Sequence, residues 1–146
     1  MSRNTVLKFV QAINLRDVEK ISALMSTDHV FIDTWGNKED KAQMERGWAE
    51  YLKLFPDYLI EISHVFQEAE LLVLLGHASG TYKGQVTEDN KYYWKLPAAW
   101  KAVVENNKIK EWQVYCDAKI PFDIMNYEDQ KMILKIKDEG CCDNKK

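Results

Sequence analysis

Apolar residues recur with the period of an α-helix in three segments near the start of the chain. Side chains three and four positions apart form one apolar stripe in each segment, which predicts an amphipathic helix. The predicted helices cover residues 4–15, 17–25 and 40–55. Asp17 is a candidate N-cap for the second helix, and Pro56 ends the third.

From residue 57 onward the apolar period changes to two, which is the period of a strand with one buried face. Strands are predicted at residues 58–66, 71–82, 92–105 and 109–118, and a shorter one at residues 29–35. In the third long strand every even position is apolar or aromatic: Tyr92, Trp94, Leu96, Ala98, Trp100, Ala102 and Val104.

Polar and turn-forming residues separate these elements. Turns are predicted at Thr27-Asp28, Gly36-Asn37, residues 68–70 and Asn106-Asn107, with a polar loop at residues 83–91. Pro121 ends the last strand, and the pattern then predicts a C-terminal helix over residues 127–138.

The resulting order is helix, helix, strand, helix, and then four strands in a meander. Helices that come first and antiparallel strands that follow are typical of the α+β class, with the helices on one face of a curved antiparallel or mixed sheet. We expect one domain over residues 1–138, followed by a polar tail at residues 139–146.

Composition narrows the function classes. The formal net charge of the 146 residues is −3 and no basic patch is present, which argues against a nucleic-acid partner. The longest apolar run, residues 71–76, is too short to span a membrane, and the first residues lack the pattern of a signal peptide. The three cysteines, Cys116, Cys141 and Cys142, fit neither a disulfide framework nor a zinc site, so we expect reduced thiols and a cytoplasmic protein without a metal.

Five stretches of sequence then carry a family resemblance. They are DVEKISALMSTDHVFID, LFPDYLIEI, GHASGTYKG, LPAAWKAVVENNKIKEW and EWQVYCD, in that order between residues 17 and 117. Together they resemble the SnoaL-like polyketide cyclase group of the NTF2-like superfamily. The resemblance implies a cone-shaped sheet with about three helices over its concave face, a C-terminal helix and a homodimer. It also implies proton abstraction next to a carbonyl group without a cofactor.

The sequence departs from the family pattern in three places. Tyr82 stands where the family has a histidine, and Asn107 replaces a turn glycine. The strand LLVLLGHAS has no Arg or Asp, so the chemistry of the related limonene-epoxide hydrolases is not supported. Of the residues used by the related ketosteroid isomerases, only Asp33 stands near a matching position, that of the base.

Three residues are candidates for acid–base chemistry. Asp117 ends a strand between Cys116 and Ala118, where partial desolvation would raise its pKa toward a range useful for proton transfer. The structural alternative is that Asp117 caps the strand end and pairs with Lys119 or a backbone amide. Asp33 is either a base or hydrogen-bond anchor at the cavity mouth or an acceptor for the turn at Gly36-Asn37. His77 is either an acid–base partner of Asp33 or Asp117 or a structural residue in the core or at an interface.

Tryptophan is abundant, with five residues in 146, and so many large rings are hard to pack solidly inside a small cone. We therefore expect some of them to line a cavity and to contact a small apolar ligand. The predicted ligand-binding residues are Trp35, Trp48, Tyr51, Phe55, Trp94 and Tyr115. Trp100 and Trp112 are expected to face outward into a dimer contact instead.

Three hypotheses for the function follow. The first is a cofactor-free isomerase or cyclase that acts on a small apolar or cyclic carbonyl compound, with Asp117 as the proton carrier and Asp33 or His77 assisting. The second is a ligand-binding protein without catalysis. The third is a dimeric association domain whose cone is filled.

Overall fold

The alternating segments of the sequence form one six-stranded sheet in the computed structural model, which describes residues 2–127. The strands are β1 (Met25–Ile32), β2 (Lys38–Asp40), β3 (Leu59–Glu68), β4 (Leu71–Thr81), β5 (Tyr93–Glu105) and β6 (Lys108–Cys116). Their order across the sheet is β2-β1-β6-β5-β4-β3. Strands β3 to β6 form the predicted antiparallel meander, while β1 lies parallel to β6. The predicted α+β class is confirmed.

Helices precede the meander and follow it. They are α1 (Ser2–Asn14), α2 (Val18–Leu24), α3 (Lys41–Leu54) and α4, which is described over residues 119–127. The predicted N-cap is confirmed, because the Asp17 side chain accepts a hydrogen bond from the Lys20 amide at 3.1 Å. Helix α3 begins with a capping box between Asp40 and Gln43. No helix within residues 2–127 is both long and apolar enough to cross a membrane.

The core lies on the sheet face that carries the even residues of β5, all of which are buried. Helices α1 and α3 cover this face, and Phe9 of α1 packs edge-on against Trp112 of β6 with ring centroids 5.0 Å apart. The expectation that Trp100 and Trp112 face outward is wrong, since each is only 1% exposed. Strand alternation places both rings on the covered face.

Several boundaries differ from the prediction. Thr27 and Asp28 form no turn, because β1 begins at Met25 and pairs with β6 from there. Trp35 lies in the turn after β1 instead of on the strand. Residues 119–127 are already helical, so Pro121 lies in the first turn of α4, where a missing amide proton costs no hydrogen bond. Most of the predicted helix 127–138 and the predicted tail 139–146 lie outside the described residues.

Two turns position the strands around the core. Asn106 and Asn107 both have positive φ, 52° and 60°, which confirms the tight hairpin turn between β5 and β6. The end of β4 is fastened to the turn after α3, because Asp57 accepts hydrogen bonds from the amide of Thr81 at 2.7 Å and from its hydroxyl at 2.6 Å. This link holds Phe55, the residue directly after α3, next to the C-terminal end of β4.

Candidate functional site

A cavity of about 380 Å³ lies between the covered face of the sheet and helices α3 and α4. Side chains from β5 and β6 form its floor, α3 forms one wall, and the turn after β1 and helix α4 border its mouth. All five tryptophans of the chain line it: Trp35, Trp48, Trp94, Trp100 and Trp112. The abundance of tryptophan in the sequence is therefore concentrated at a single site.

The helical period of α3 and the alternating period of β6 place the lining residues on the cavity side of each element. On α3 the residues Met44, Trp48 and Tyr51 are four and three positions apart, so they share one helical face and line the cavity together. On β6 the alternate residues Trp112, Val114 and Cys116 do the same. The rings pack mostly edge to face, as Trp48 does on Tyr51 with centroids 6.2 Å apart.

Two tryptophans that line this cavity have indole N–H groups without an acceptor among residues 2–127. Trp48 and Trp94 are each 5% exposed and line the cavity, and neither Nε1 has a hydrogen-bond partner among residues 2–127. A buried donor without a partner is costly, typically about 1–3 kcal/mol. Both indoles belong to the cavity wall, so an acceptor that reached either nitrogen would remove this cost.

Two tyrosines add a phenolic pair. The rings of Tyr51 and Tyr58 meet edge-on with centroids 5.0 Å apart. Burial, followed by the nearby Cys116 thiol, raises the pKa of Tyr51, and burial also raises the pKa of Tyr58. Both phenols therefore stay protonated at neutral pH and act as hydrogen-bonding groups and not as bases.

Asp33 lines the cavity just after β1 ends. Its Oδ1 accepts hydrogen bonds from the backbone amides of Trp35 and Asn37, both at 2.9 Å. The structural alternative raised by the sequence is thus present, since Asp33 holds the turn. Within the described chain its second oxygen, Oδ2, makes no hydrogen bond, so that one side chain can hold the turn and still present an acceptor to the cavity.

Glu39 is a lining carboxylate that the sequence did not reveal. It lies on the three-residue strand β2, which is too short to show a period of two. In the antiparallel register Glu39 is opposite Phe31, and paired residues point to the same side of a sheet, so both line the cavity. The Glu39 side chain is half-buried, and no salt bridge or hydrogen bond joins it to the rest of residues 2–127.

The other two candidates for acid–base chemistry lie elsewhere. Asp117 is exposed, and its Oδ1 accepts a hydrogen bond from the Lys119 amide at 3.0 Å at the start of α4. The expected desolvation of Asp117 is therefore wrong, because Cys116 points inward and its neighbour must point outward. His77 is exposed on the outer face of β4, where the next residue, Ala78, lines the cavity.

Of the six residues predicted to contact a ligand, five line the cavity: Trp35, Trp48, Tyr51, Phe55 and Trp94. Tyr115 does not, since it precedes the inward-facing Cys116 and is 50% exposed on the outer face. That the five contact a ligand stays a prediction.

A thiol, that of Cys116, also lines the cavity. Burial and then the charge of Asp117 raise the pKa of the Cys116 thiol, which is therefore not an activated nucleophile. Across residues 2–127 no group of three or more His, Cys, Asp or Glu side chains is placed to hold a metal ion. What the site can do is bind through aromatic faces and hydrogen-bond donors, with carboxylates at its mouth.

Comparison with known families shows to which of them the chain is related. The family model described as a SnoaL-like domain matches residues 6–112, which is well over half of the chain. The chain belongs to the SnoaL-like domain family. The resemblance drawn from the five sequence stretches is thereby confirmed. Comparison with curated proteins gives no significant match.

Solved structures share the fold of this SnoaL-like domain at low sequence identity. A proposed SnoaL-like polyketide cyclase from Shewanella putrefaciens has a TM-score of 0.72 at 15% identity, with 86% of each chain covered. IdmH, a proposed polyketide cyclase from Streptomyces antibioticus, has a TM-score of 0.72 at 17% identity, covering 86% of this chain and 99% of its own. An NTF2-like protein of unknown function from Cytophaga hutchinsonii has a TM-score of 0.64 at 16% identity, covering 84% of this chain and 95% of its own.

Proposed function

We propose that this SnoaL-like domain binds a small, flat, mostly apolar molecule that carries a carbonyl-type oxygen. The observation that carries the proposal is the pair of buried, unpartnered indole N–H groups of Trp48 and Trp94 at one aromatic cavity. Tryptophan, tyrosine and phenylalanine side chains supply most of the lining, and such rings favour flat ligands. An acceptor oxygen on the ligand would satisfy the donors that the protein leaves free.

The proposal is tested with a ligand pair that differs only in the acceptor. 1-Tetralone and tetralin have the same fused rings, but only 1-tetralone has a carbonyl oxygen. Titration followed by tryptophan fluorescence should show tighter binding of 1-tetralone by about three- to tenfold, the range expected for one or two hydrogen bonds. Equal affinity for the two compounds, or no binding of either, would contradict the proposal.

Matched variants assign the preference to particular donors. Trp48→Phe and Trp94→Phe keep an aromatic ring but remove the indole N–H, so at least one of them should lose the preference for 1-tetralone. Trp35→Phe is the control, because Trp35 is 64% exposed and its N–H is not a buried donor. A preference that survives in both buried variants would place the acceptor elsewhere.

Cofactor-free proton transfer is the second candidate function. It is favoured by the position of Asp33, whose carboxylate lines the same cavity as the two N–H donors. In such a reaction the carboxylate would take a proton from the carbon next to the carbonyl, and the indole donors would stabilise the enolate oxygen. Exchange of the C2 protons of 1-tetralone in D₂O, followed by NMR, measures this step directly.

We further propose that two copies associate through the outer face of the sheet, as the family resemblance implies. Leu75 of β4 and Tyr115 of β6 are exposed there, on either side of Ala99 of β5. Analytical ultracentrifugation should find a dimer, and Leu75→Lys should weaken it. Val86→Lys is the control, since Val86 is exposed in the polar loop at residues 83–91. A monomer at all concentrations would contradict the proposal.

A further inference from the structure

We infer that the cavity selects ligands that carry a cationic nitrogen, either a protonated amine or a quaternary ammonium group, and that Glu39 holds this group at the mouth. The inference rests on the proposed ligand-binding function of the same cavity and names the chemical class of its ligand. Three features of the cavity support the inference: the sign of its charge, the lack of a partner for Glu39 within residues 2–127, and the aromatic rings near Glu39.

The charge at the cavity has one sign. Among residues 2–127, the charged residues that line it are Asp33 and Glu39, and no lysine, arginine or histidine of this part of the chain lines it. Bringing an anionic ligand into this space would place like charges close together in a medium of low dielectric constant, which is strongly unfavourable. Neutral or cationic ligands are therefore favoured over carboxylates and phosphates.

The Glu39 carboxylate has no partner within the described part of the chain. Its Oε2 lies 3.9 Å from the position that a Cβ would take on Gly47, so it rests against α3 next to Trp48. The nearest lysines along the chain are directed elsewhere. Lys41 donates to the Met25 carbonyl oxygen at 3.2 Å, and Lys38 points to the opposite side of β2. This half-buried carboxylate can therefore take up a cation without first breaking an ion pair within residues 2–127.

Aromatic rings share the mouth with this carboxylate. Phe31 is directly opposite Glu39 in the sheet register, Glu39 rests against Gly47 next to Trp48, and Trp35 also lines the cavity. The faces of such rings attract cations, by about 0.5–2 kcal/mol for each ring depending on how far the pair is desolvated. A carboxylate beside aromatic rings binds an ammonium group in preference to a neutral group of the same shape.

A second, independent sign of a ligand comes from two tryptophans that line the cavity. The buried N–H groups of Trp48 and Trp94 find no acceptor in the described part of the chain, residues 2–127. Together the two features describe one molecule: an acceptor oxygen for an indole N–H, an apolar body between the rings, and a cationic nitrogen beside Glu39. An amine-bearing aryl or cyclic carbonyl or ether compound has this pattern.

The test uses an isosteric pair of probes. (4-Methoxyphenyl)trimethylammonium and 4-tert-butylanisole have the same shape and the same ether oxygen, but only the first has a positive charge. Both are titrated into the full chain, with tryptophan fluorescence as the readout because all five tryptophans line the cavity. The cation should bind at least about tenfold more tightly, since one cation–π contact and one ion pair add together.

Two glutamate variants separate the cavity from the overall charge of the protein. Glu39→Gln keeps the size of the side chain and removes its charge, so the preference for the cation should fall by at least about threefold, to the part that the rings supply. Glu88→Gln makes the same change of net charge at an exposed position in the loop before β5, and the preference should stay unchanged. The melting temperature of each variant shows whether it is folded at the temperature of the titration.

Each outcome decides something different. If both probes bind equally well, the cavity takes ligands without selecting for charge, and this inference fails while the proposed binding function stands. If neither probe binds and 1-tetralone does not bind either, the proposed function fails with it. If Glu39→Gln keeps the full preference for the cation, Glu39 is not its partner. The comparison of the two probes in the unaltered protein is valid even if a variant fails to fold.

Discussion

The rings of Trp35 and Phe122 meet edge-on, with their centroids 4.9 Å apart, across the mouth of the cavity. This contact joins the turn after β1 to helix α4. The turn is held by Asp33, which accepts two backbone hydrogen bonds, and α4 begins at the side-chain cap of Asp117. Asp117 does not line the cavity, but its side chain caps the helix that carries Phe122.

Truncating Phe122 should open the mouth. Phe122→Ala removes the ring that meets Trp35, so a bound ligand should leave faster, and we expect its dissociation rate to rise several-fold. Stopped-flow tryptophan fluorescence with 1-tetralone measures the rate. Ile120→Ala is the matched control, because Ile120 is exposed on the same helix and does not line the cavity. An equal effect of the two variants would show that the mouth does not limit dissociation.

Substitutions of Asp33 separate its two roles. Asp33→Ala removes the acceptor for the amides of Trp35 and Asn37, so the free energy of unfolding should fall by about 1–2 kcal/mol. Asp33→Asn keeps an oxygen for these amides and should lose less than half of that. Urea unfolding gives both values. If Asp33 is also a base, both variants lose proton exchange at C2 of 1-tetralone, and retained exchange in Asp33→Asn would exclude that role.

The long elements could be predicted because each one shows several repeats of its period. The strand at residues 92–105 alternates over seven even positions, and all of them are buried in the structure. The same alternation also identifies Trp100 as an inward residue. A dimer contact is the wrong prediction for Trp100, because the general enrichment of tryptophan at interfaces says less about one residue than an alternation that holds over seven positions.

The candidate site was harder to predict because it depends on pairs of residues that are distant in sequence. Asp117 and Cys116 are neighbours, and which of them points inward is decided by the register of β6 against β5. Glu39 reaches the cavity only because a three-residue strand pairs with β1, and three residues are too few to show a period. The positions of the large rings, by contrast, follow from the periods of α3 and β5.

A buried histidine should make the stability of the protein depend on pH. His29 is 1% exposed, its Nδ1 donates to the Ile109 carbonyl oxygen at 2.7 Å, and its Nε2 has no partner in residues 2–127. Burial lowers the pKa of His29 below its usual value of 6.5, outweighing the opposing effect of the Ile109 hydrogen bond. Lys41 also lowers this pKa, and Asp28 raises it slightly.

The sign of the effect follows from the number of protons that each state binds. Below about pH 6.5 the unfolded chain takes up a proton at His29, whereas the folded chain does so only at a lower pH. The free energy of unfolding therefore falls as the pH falls, by up to about 1.4 kcal/mol per pH unit. Above pH 6.5 the residue contributes no pH dependence. His29→Asn can keep the donor to Ile109 without titrating, so it should lose less stability between pH 7 and pH 5 than the unaltered protein. Parallel curves from urea unfolding would contradict this account.

Gly76 should tolerate no side chain. A Cβ at this position of β4 would lie 1.8 Å from the Glu61 backbone carbonyl oxygen on the neighbouring strand β3, which contains a register shift between Ile62 and His64. Gly76→Ala must push the two strands apart, and we expect a loss of more than about 2 kcal/mol in the free energy of unfolding. Gly47→Ala is the control, because its Cβ would meet Met44 at an ordinary 3.5 Å and alanine favours the helix. Similar stabilities of the two variants would contradict the packing seen around β4.

The central claim is that Trp48 and Trp94 hold their indole N–H groups ready for an acceptor oxygen on a ligand. The most direct measurement is a ¹H–¹⁵N correlation spectrum, in which each of the five tryptophans gives one indole signal. Addition of 1-tetralone should move the Trp48 or Trp94 indole proton downfield, as a new hydrogen bond does, and addition of tetralin should not. If neither signal moves downfield, or if both compounds move them alike, these donors do not bind the ligand oxygen and the account is wrong.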